Sequence, residues 1–244
     1  MGRIVPDLRF GDVRWVGETD STNTRLLEDA RAGAPEGRVL VADHQTAGRG
    51  RLGRRWEAPP GSALLVSVLL RPDVPLGRAH LVTMAAGLAA SDACESVAGV
   101  RPDLKWPNDL VVADAKLAGL LAESVVEGDV LRALVVGMGL NVTDAPAEGS
   151  ISLAAHAGRP VQRRPLLDAW LARLGARLDA LDGVLGDYRP RCATLGRDVR
   201  VERPDGGSIT GRAVDVTDAG HLVVDTGEER SAVAVGDVVH VRSA

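Results

Sequence analysis

Two kinds of hydrophobic pattern follow one another along the chain. Val13-Arg14-Trp15-Val16 reads as a first strand. Residues 17–23 are dense in capping types, and Leu26, Leu27 and Ala30 then recur at helical spacing until Gly33 closes a helix. Asp20 or Ser21 is the expected N-cap. Residues 38–42 and 62–70 are apolar enough for buried strands, and residues 76–97 carry a long apolar helical pattern. Residues 101–141 return to strands, with turns at Pro107-Asn108-Asp109 and Glu127-Gly128-Asp129. A polar span at 143–160 reads as loop, and residues 166–185, with Trp170, as a further helix. Hairpins beside long helices predict an α+β fold with a mixed or antiparallel sheet, not a doubly wound parallel one.

From Gly196 the pattern shortens to alternating segments at 199–202, 208–216, 221–225, 230–235 and 238–241, separated by Gly- and Asp-rich turns. Short, evenly spaced strands predict a small β-barrel. The expected organisation is therefore a domain over residues 1–195 and a small C-terminal barrel over 196–244.

Composition narrows the class. The 244 residues are 45% hydrophobic and 25% charged but only 2% aromatic, so the core is expected from Leu, Val and Ala. A net charge of −4 argues against a broad nucleic-acid surface. Cys94 and Cys192 lie far apart, with neither metal-ligand spacing nor a disulfide framework. Residues 1–7 have no apolar signal core, and no run reaches membrane-spanning length, so a reducing, cytoplasmic setting is expected and no membrane partner.

The candidate chemistry falls in four islands. Residues 43–56 follow an apolar run and contain three glycines, four arginines and a terminal Trp. Gly permits close backbone approach, Arg offers planar forks for carboxylate or phosphate, and Trp56 offers a stacking face. Lys105 and Lys116 flank the Pro-Asn-Asp turn, where Asn108 and Asp109 could meet a nucleotide or Mg²⁺. The segment Gly137-Met138-Gly139 lets backbone lie close to a ligand. The helix start at Ser21-Thr22-Asn23 offers free N–H groups and hydroxyls. Each island alone is an ordinary turn, cap or bulge; together they suggest a site that gathers a small acid and a nucleotide.

In order, Ser21-Thr22-Asn23, Gln45-Thr46-Ala47-Gly48-Arg49-Gly50-Arg51, Lys105-Trp106-Pro107-Asn108-Asp109-Leu110, Lys116-Leu117-Ala118-Gly119 and Gly137-Met138-Gly139-Leu140-Asn141 resemble the motifs of the biotin–protein ligase family. The resemblance covers nearly the whole chain and implies a catalytic fold like that of class II aminoacyl-tRNA synthetases, followed by an SH3-like barrel. It implies biotin, ATP and Mg²⁺ as ligands and a biotin carboxyl carrier domain as protein partner.

By the same resemblance, Ser21, Thr22, Asn23 and Gln45 would hold the polar ring end of biotin. Arg49, Gly50 and Arg51 would hold its carboxylate and the adjoining phosphate. Lys116 would be the central cation, acting with Arg49 and Arg51 in catalysis, and Gly119 and Gly137 would line the pocket. Arg54, Trp56, Lys105, Asn108 and Asn141 would face the nucleotide, and Asp109 would help place Mg²⁺.

Some members of the family also carry an N-terminal helix-turn-helix domain and repress transcription. About 20 residues precede Ser21, so a ligase without operator binding to DNA is expected, as a monomer or weak homodimer. The rival readings are a lipoate or octanoate ligase or transferase, and a non-enzymatic nucleotide-binding regulator. Lys116 discriminates the latter, since only an enzyme needs it for turnover.

Overall fold

Strands β1 (Asp12–Thr19), β2 (Arg38–Gln45), β3 (Ala63–Leu70), β4 (Asp103–Lys105), β5 (Asp109–Val112), β6 (Ala115–Glu127) and β7 (Val130–Asn141) form one sheet in the order β1-β2-β3-β7-β6-β5-β4. The computed structural model describes residues 8–240. Residues 1–7 and the end of the last expected strand, Val241, lie outside the described residues. β1 and β2 are parallel, joined through helix α1 (Thr22–Arg31), and all other neighbours are antiparallel. The mixed sheet expected from the hairpin pattern is present.

The two faces of this sheet are covered unequally, and side-chain alternation along β7 shows how. Leu134, Val136, Met138 and Leu140 point into the main core, against helices α2 (Ala79–Ala98) and α4 (Arg163–Leu178). The Nε1 of Trp170 donates to the Ala86 carbonyl at 3.0 Å and fixes α4 on α2. Cys94 is enclosed in this core, and burial pushes its thiol up to about 12. On the other face, Ala133 and Val135 pack with Leu69 beneath Leu26, Leu27 and Ala30 of α1. Helix α1 is short, and beyond its first turn the same face of β7 continues as Gly137, Gly139 and Asn141. A trough is therefore left where the strand has backbone but no bulky side chains.

Two stretches differ from the pattern-based expectation. The polar span at 143–160 contains a short helix α3 (Leu153–Ala157), whose N-cap Ser152 accepts from the Ala155 N–H at 3.4 Å. The helix expected over 166–185 ends at Leu178, and a 3₁₀ turn at Leu181–Gly183 leads into α5 (Val184–Tyr188). Apolar spacing persists across the break, so periodicity alone does not reveal it.

The C-terminal part consists of β8 (Asp198–Glu202), β9 (Ser208–Val216), β10 (Leu222–Asp225), β11 (Arg230–Val233) and β12 (Asp237–His240), antiparallel in the order β11-β10-β9-β8-β12. All five expected strands are present. Among the described residues β11 and β12 are the edges of an open sheet rather than paired into a closed barrel.

Its inward residues Val199, Val201, Ala213, Val216, Leu222 and Val224 continue the main core. Trp106 ties the two parts together, with its backbone N–H on Thr194 Oγ1 at 3.0 Å and its indole N–H on the Gly220 carbonyl at 2.9 Å. Within the larger part, Asp92 of α2 ties α4 and the turn at residue 191 to α2, accepting from Arg177 at 2.7 Å and from Arg191 at 2.6 Å. Burial works against ionisation of Asp92, but the hydrogen bonds from Arg177 and Arg191 outweigh it and hold the carboxyl below its usual range.

Candidate functional site

The floor of the trough is the α1 side of β3, β7 and β6. Gly119 and Gly139 face each other across the β6–β7 ladder, with Gly137 opposite Leu121. The glycines there are sterically required. A Cβ on Gly137 would lie 2.1 Å from Asn23 Oδ1, and one on Gly139 would lie 2.4 Å from Trp56 Cε2. The trough holds a cavity of about 250 Å³.

One end is a chain of hydrogen bonds. The Thr22 N–H donates to Gln45 Oε1 at 2.8 Å. Thr22 Oγ1 lies 2.7 Å from Ser67 Oγ, and Ser67 donates to Asn23 Oδ1 at 2.6 Å. Asn23 Nδ2 donates to the Leu121 carbonyl at 3.2 Å and to Glu123 Oε2 at 3.0 Å. Ser21 occupies the N-cap position of α1 but makes no side-chain cap bond. Asp20 instead accepts from the Ser21 N–H at 2.7 Å, so the capping duty expected of Asp20 or Ser21 is not performed through the helix's own N–H groups. Ser21 lines the cavity instead.

The other end is cationic. Residues 48–56 fold back on themselves: the Trp56 N–H donates to the Gly48 carbonyl at 3.0 Å, and the Gly50 N–H to the Arg54 carbonyl at 2.7 Å. A Cβ on Gly48 would lie 2.3 Å from the Trp56 carbonyl oxygen, so this closure requires glycine. At the bend, Leu52 adopts φ 54° and is half exposed.

The closure lays the Trp56 indole over Gly139 and Gly119, where its Nε1 is buried without a partner. Lys116 Nζ sits 5.7 Å from the Trp56 ring centroid and 2.7 Å from Asp109 Oδ1. Arg49 pairs with Glu123 at 2.9 Å. Arg51 reaches the Asn108 Oδ1 at 3.4 Å, and burial lowers its guanidinium from the ordinary value, a cost that a bound anion would offset.

All the residues singled out from the sequence converge on this cavity except one. Ser21, Thr22, Asn23, Gln45, Arg49, Gly50, Arg51, Arg54, Trp56, Lys105, Asn108, Asp109, Lys116, Gly119 and Gly137 line it. Asn141 does not; it is buried beyond the end of the trough, with Nδ2 on the Ile151 carbonyl at 3.4 Å.

Four residues escaped the sequence reading. Ser67 and Glu123 are hidden in apolar strand patterns. Glu202 and Asp237 come from the C-terminal sheet and also line the cavity. Asp237 pairs with Arg54, so the Gly/Arg loop is anchored to β12. Among the described residues no three His, Cys, Asp or Glu side chains gather as a ready metal cage.

Such a cavity, polar at one end and cationic at the other, can seat a small acid and bring its carboxylate against a phosphate. Comparison with known proteins agrees. The model of the biotin/lipoate A/B protein ligase family matches residues 16–141, and that of the biotin protein ligase C-terminal domain matches residues 194–241.

The chain is 42% identical to the biotin–[acetyl-CoA-carboxylase] ligase of Mycobacterium tuberculosis, over 93% of this chain and 88% of that protein. It is 32% identical to the bifunctional ligase/repressor BirA of Bacillus subtilis, over 85% of this chain and 67% of that protein. Among solved structures, the biotin protein ligase of Aquifex aeolicus in complex with biotin and ATP superposes with a TM-score of 0.80 at 30% identity, covering 96% of this chain and all of that one.

Proposed function

The chain belongs to the biotin/lipoate A/B protein ligase family, and from that premise we propose how its cavity joins biotin to a protein lysine. The enzyme is a biotin–[acetyl-CoA-carboxylase] ligase that works through biotinyl-5′-adenylate. The biotin carboxylate attacks the α-phosphate of ATP and pyrophosphate leaves. The amine of the acceptor lysine then attacks the acyl carbon, AMP leaves, and the amine loses a proton.

Two anions must meet in the first step, and their repulsion is the main obstacle. Arg49, Arg51, Lys105 and Lys116 surround one end of the cavity, where cations fixed in place act on developing charge. Lys116 is already held at this end, between Asp109 and the face of Trp56. The Thr22–Gln45 end holds the uncharged ring of biotin, so the carboxylate is aimed at the cations, and positioning supplies much of the remaining acceleration. A loop closed over the adenylate keeps water from hydrolysing it.

Mg²⁺ typically binds through one or two carboxylates and the phosphates of its nucleotide rather than in an all-protein cage. The donor set fits that mode: Asp109, Glu202 and Asp237 line the same cavity without forming a cage, and Asp109 would receive a Mg²⁺ carried in by ATP and neutralising its phosphates.

The acceptor is the biotin carboxyl carrier domain of a carboxylase, in keeping with the names of the relatives. The C-terminal match beginning at residue 194 supports a domain boundary near 195. Two free cysteines, both buried, suit a reducing cytoplasm, and no helix among the described residues is long and apolar enough to cross a membrane.

The observation that carries this reading is the convergence of four distant sequence islands on one cavity with opposed polar and cationic ends. Biotin-dependent exchange of labelled pyrophosphate into ATP tests it. Wild-type protein should catalyse exchange with biotin and not with lipoate, and Lys116→Ala should lower the rate by about 100-fold or more. A wild-type protein inert with biotin and Mg²⁺-ATP refutes the reading.

A further inference from the structure

Glu123 has no place in the reaction just described, yet its carboxylate touches both ends of the site. Oε1 lies 2.9 Å from Arg49 Nη1, and Oε2 accepts from Asn23 Nδ2 at 3.0 Å. The side chain is only 21% exposed, and both of its partners line the cavity. A carboxylate is acceptor-only, and that fact propagates.

With Glu123 and the Leu121 carbonyl both accepting, the Asn23 amide must turn its NH₂ towards them and its Oδ1 towards Ser67. The single Ser67 proton is then committed to Asn23 Oδ1 at 2.6 Å. The Thr22 hydroxyl has one proton and two acceptors in reach, Ser67 Oγ at 2.7 Å and Gln45 Oε1 at 3.1 Å; with the Ser67 proton committed, the shorter contact to Ser67 takes it. Gln45 Oε1 is engaged by the Thr22 N–H at 2.8 Å, which turns the Gln45 amide NH₂ away from that contact. One half-buried charge thus sets the donors and acceptors at Asn23, Ser67 and Thr22.

We propose that Glu123 is a positioning residue of the ligand site, fixing through Asn23 and Ser67 the donor–acceptor pattern that the polar ring of biotin meets, while parking Arg49 at the mouth. The inference rests on the biotin-ligase reading. Once the ligand's own carboxylate is seated, Arg49 exchanges Glu123 for it, so the same residue orders one end and releases the other.

Glu123→Gln separates this role from a structural one. The volume is unchanged, but a carboxamide offers one acceptor to two donors, so its NH₂ must face either Asn23 or Arg49. Biotin affinity is read by titration calorimetry and by KM in pyrophosphate exchange, with thermal melting alongside. The expected result is about tenfold weaker biotin, the equivalent of one lost buried hydrogen bond, with kcat kept within about threefold and the KM for ATP within about twofold.

Ser67→Ala interrupts the same chain downstream and should weaken biotin to a similar extent. Because both variants act on one chain, the double variant should stay near about tenfold rather than multiply to about a hundredfold. Biotin affinity unchanged in Glu123→Gln overturns the inference, as does a multiplicative double variant. So does a general loss of melting temperature, kcat and both KM values together. Wild-type protein that fails to exchange with biotin overturns the ligase reading and this inference with it; wild-type exchange with insensitive variants overturns this inference alone.

Discussion

Gly137 shows how much a single missing side chain decides. It sits in the middle of a strand, where glycine ordinarily weakens the ladder. Here a methyl group would stand 2.1 Å from Asn23 Oδ1 and 3.2 Å from Ser67 Oγ. The backbone of β7 can accept alanine, since the φ at this position is not in the left-handed region. The whole penalty therefore falls on Asn23 and the polar chain. Gly137→Ala is expected to melt within a few degrees of wild type while biotin affinity falls by about 100-fold, an outcome calorimetric titration with a parallel melt will check. Equal loss of both would show that the residue serves the sheet and not the site.

The loop between β2 and β3 makes the corresponding point for elements. Its arginines advertise anion binding in the sequence, but besides its own backbone closure it is held by a partner 183 residues away, where Arg54 meets Asp237. Cutting that tie by Asp237→Ala should leave the strands intact and free the loop. Trypsin, which cleaves after Arg, should then nick residues 49–55 about tenfold faster, and biotin with ATP should restore protection.

Such long-range ties separate what was readable from what was not. Strands β1, β2, β3, β6 and β7, helix α2 and all five C-terminal strands follow from local apolar period and turn residues. The motif residues follow from chemistry concentrated at loop ends. Ser67 and Glu123 were not legible, because each sits in an apolar strand and gains meaning only from the element laid across it. Glu202 and Asp237 belong to a part of the chain with no motif of its own. The break after Leu178 was hidden by apolar spacing that carries on past it. Asn141 stands apart from the other motif residues: it follows Gly139 on the same face of β7 but does not line the cavity.

At the level of the molecule, the two parts are joined through ionisable groups as well as core. His240 of β12 lies 3.8 Å from Asp114 and 3.1 Å from Arg197, and Lys105 is also near. Burial, then the positive charges of Lys105 and Arg197, lower its pKa, against an opposing pull from Asp114. An unfolded histidine titrates near about 6.5. Below that pH the unfolded chain takes up a proton that folded His240 still refuses, so stability is full above about 6.5 and declines as pH falls, until folded His240 titrates too.

Urea unfolding between pH 7.5 and 5.5 should show this slope, and His240→Gln should flatten it. Part will remain, because burial also lowers His80, which packs against the turn at Gly220.

The strip of Gly119, Gly137 and Gly139 has one more consequence. On its far side the sheet is dressed with its own side chains; on this side Asn23 and the Trp56 indole lie over it, and the small molecule completes the dressing. A ring lying there stands in for an amino-acid residue of the interior, and the tolerances of an interior apply to it. One extra methylene strains a well-packed core, and one too few leaves a void. The choosiness of such an enzyme for its acid is then mutational intolerance by another name, with the substrate as the mutated position.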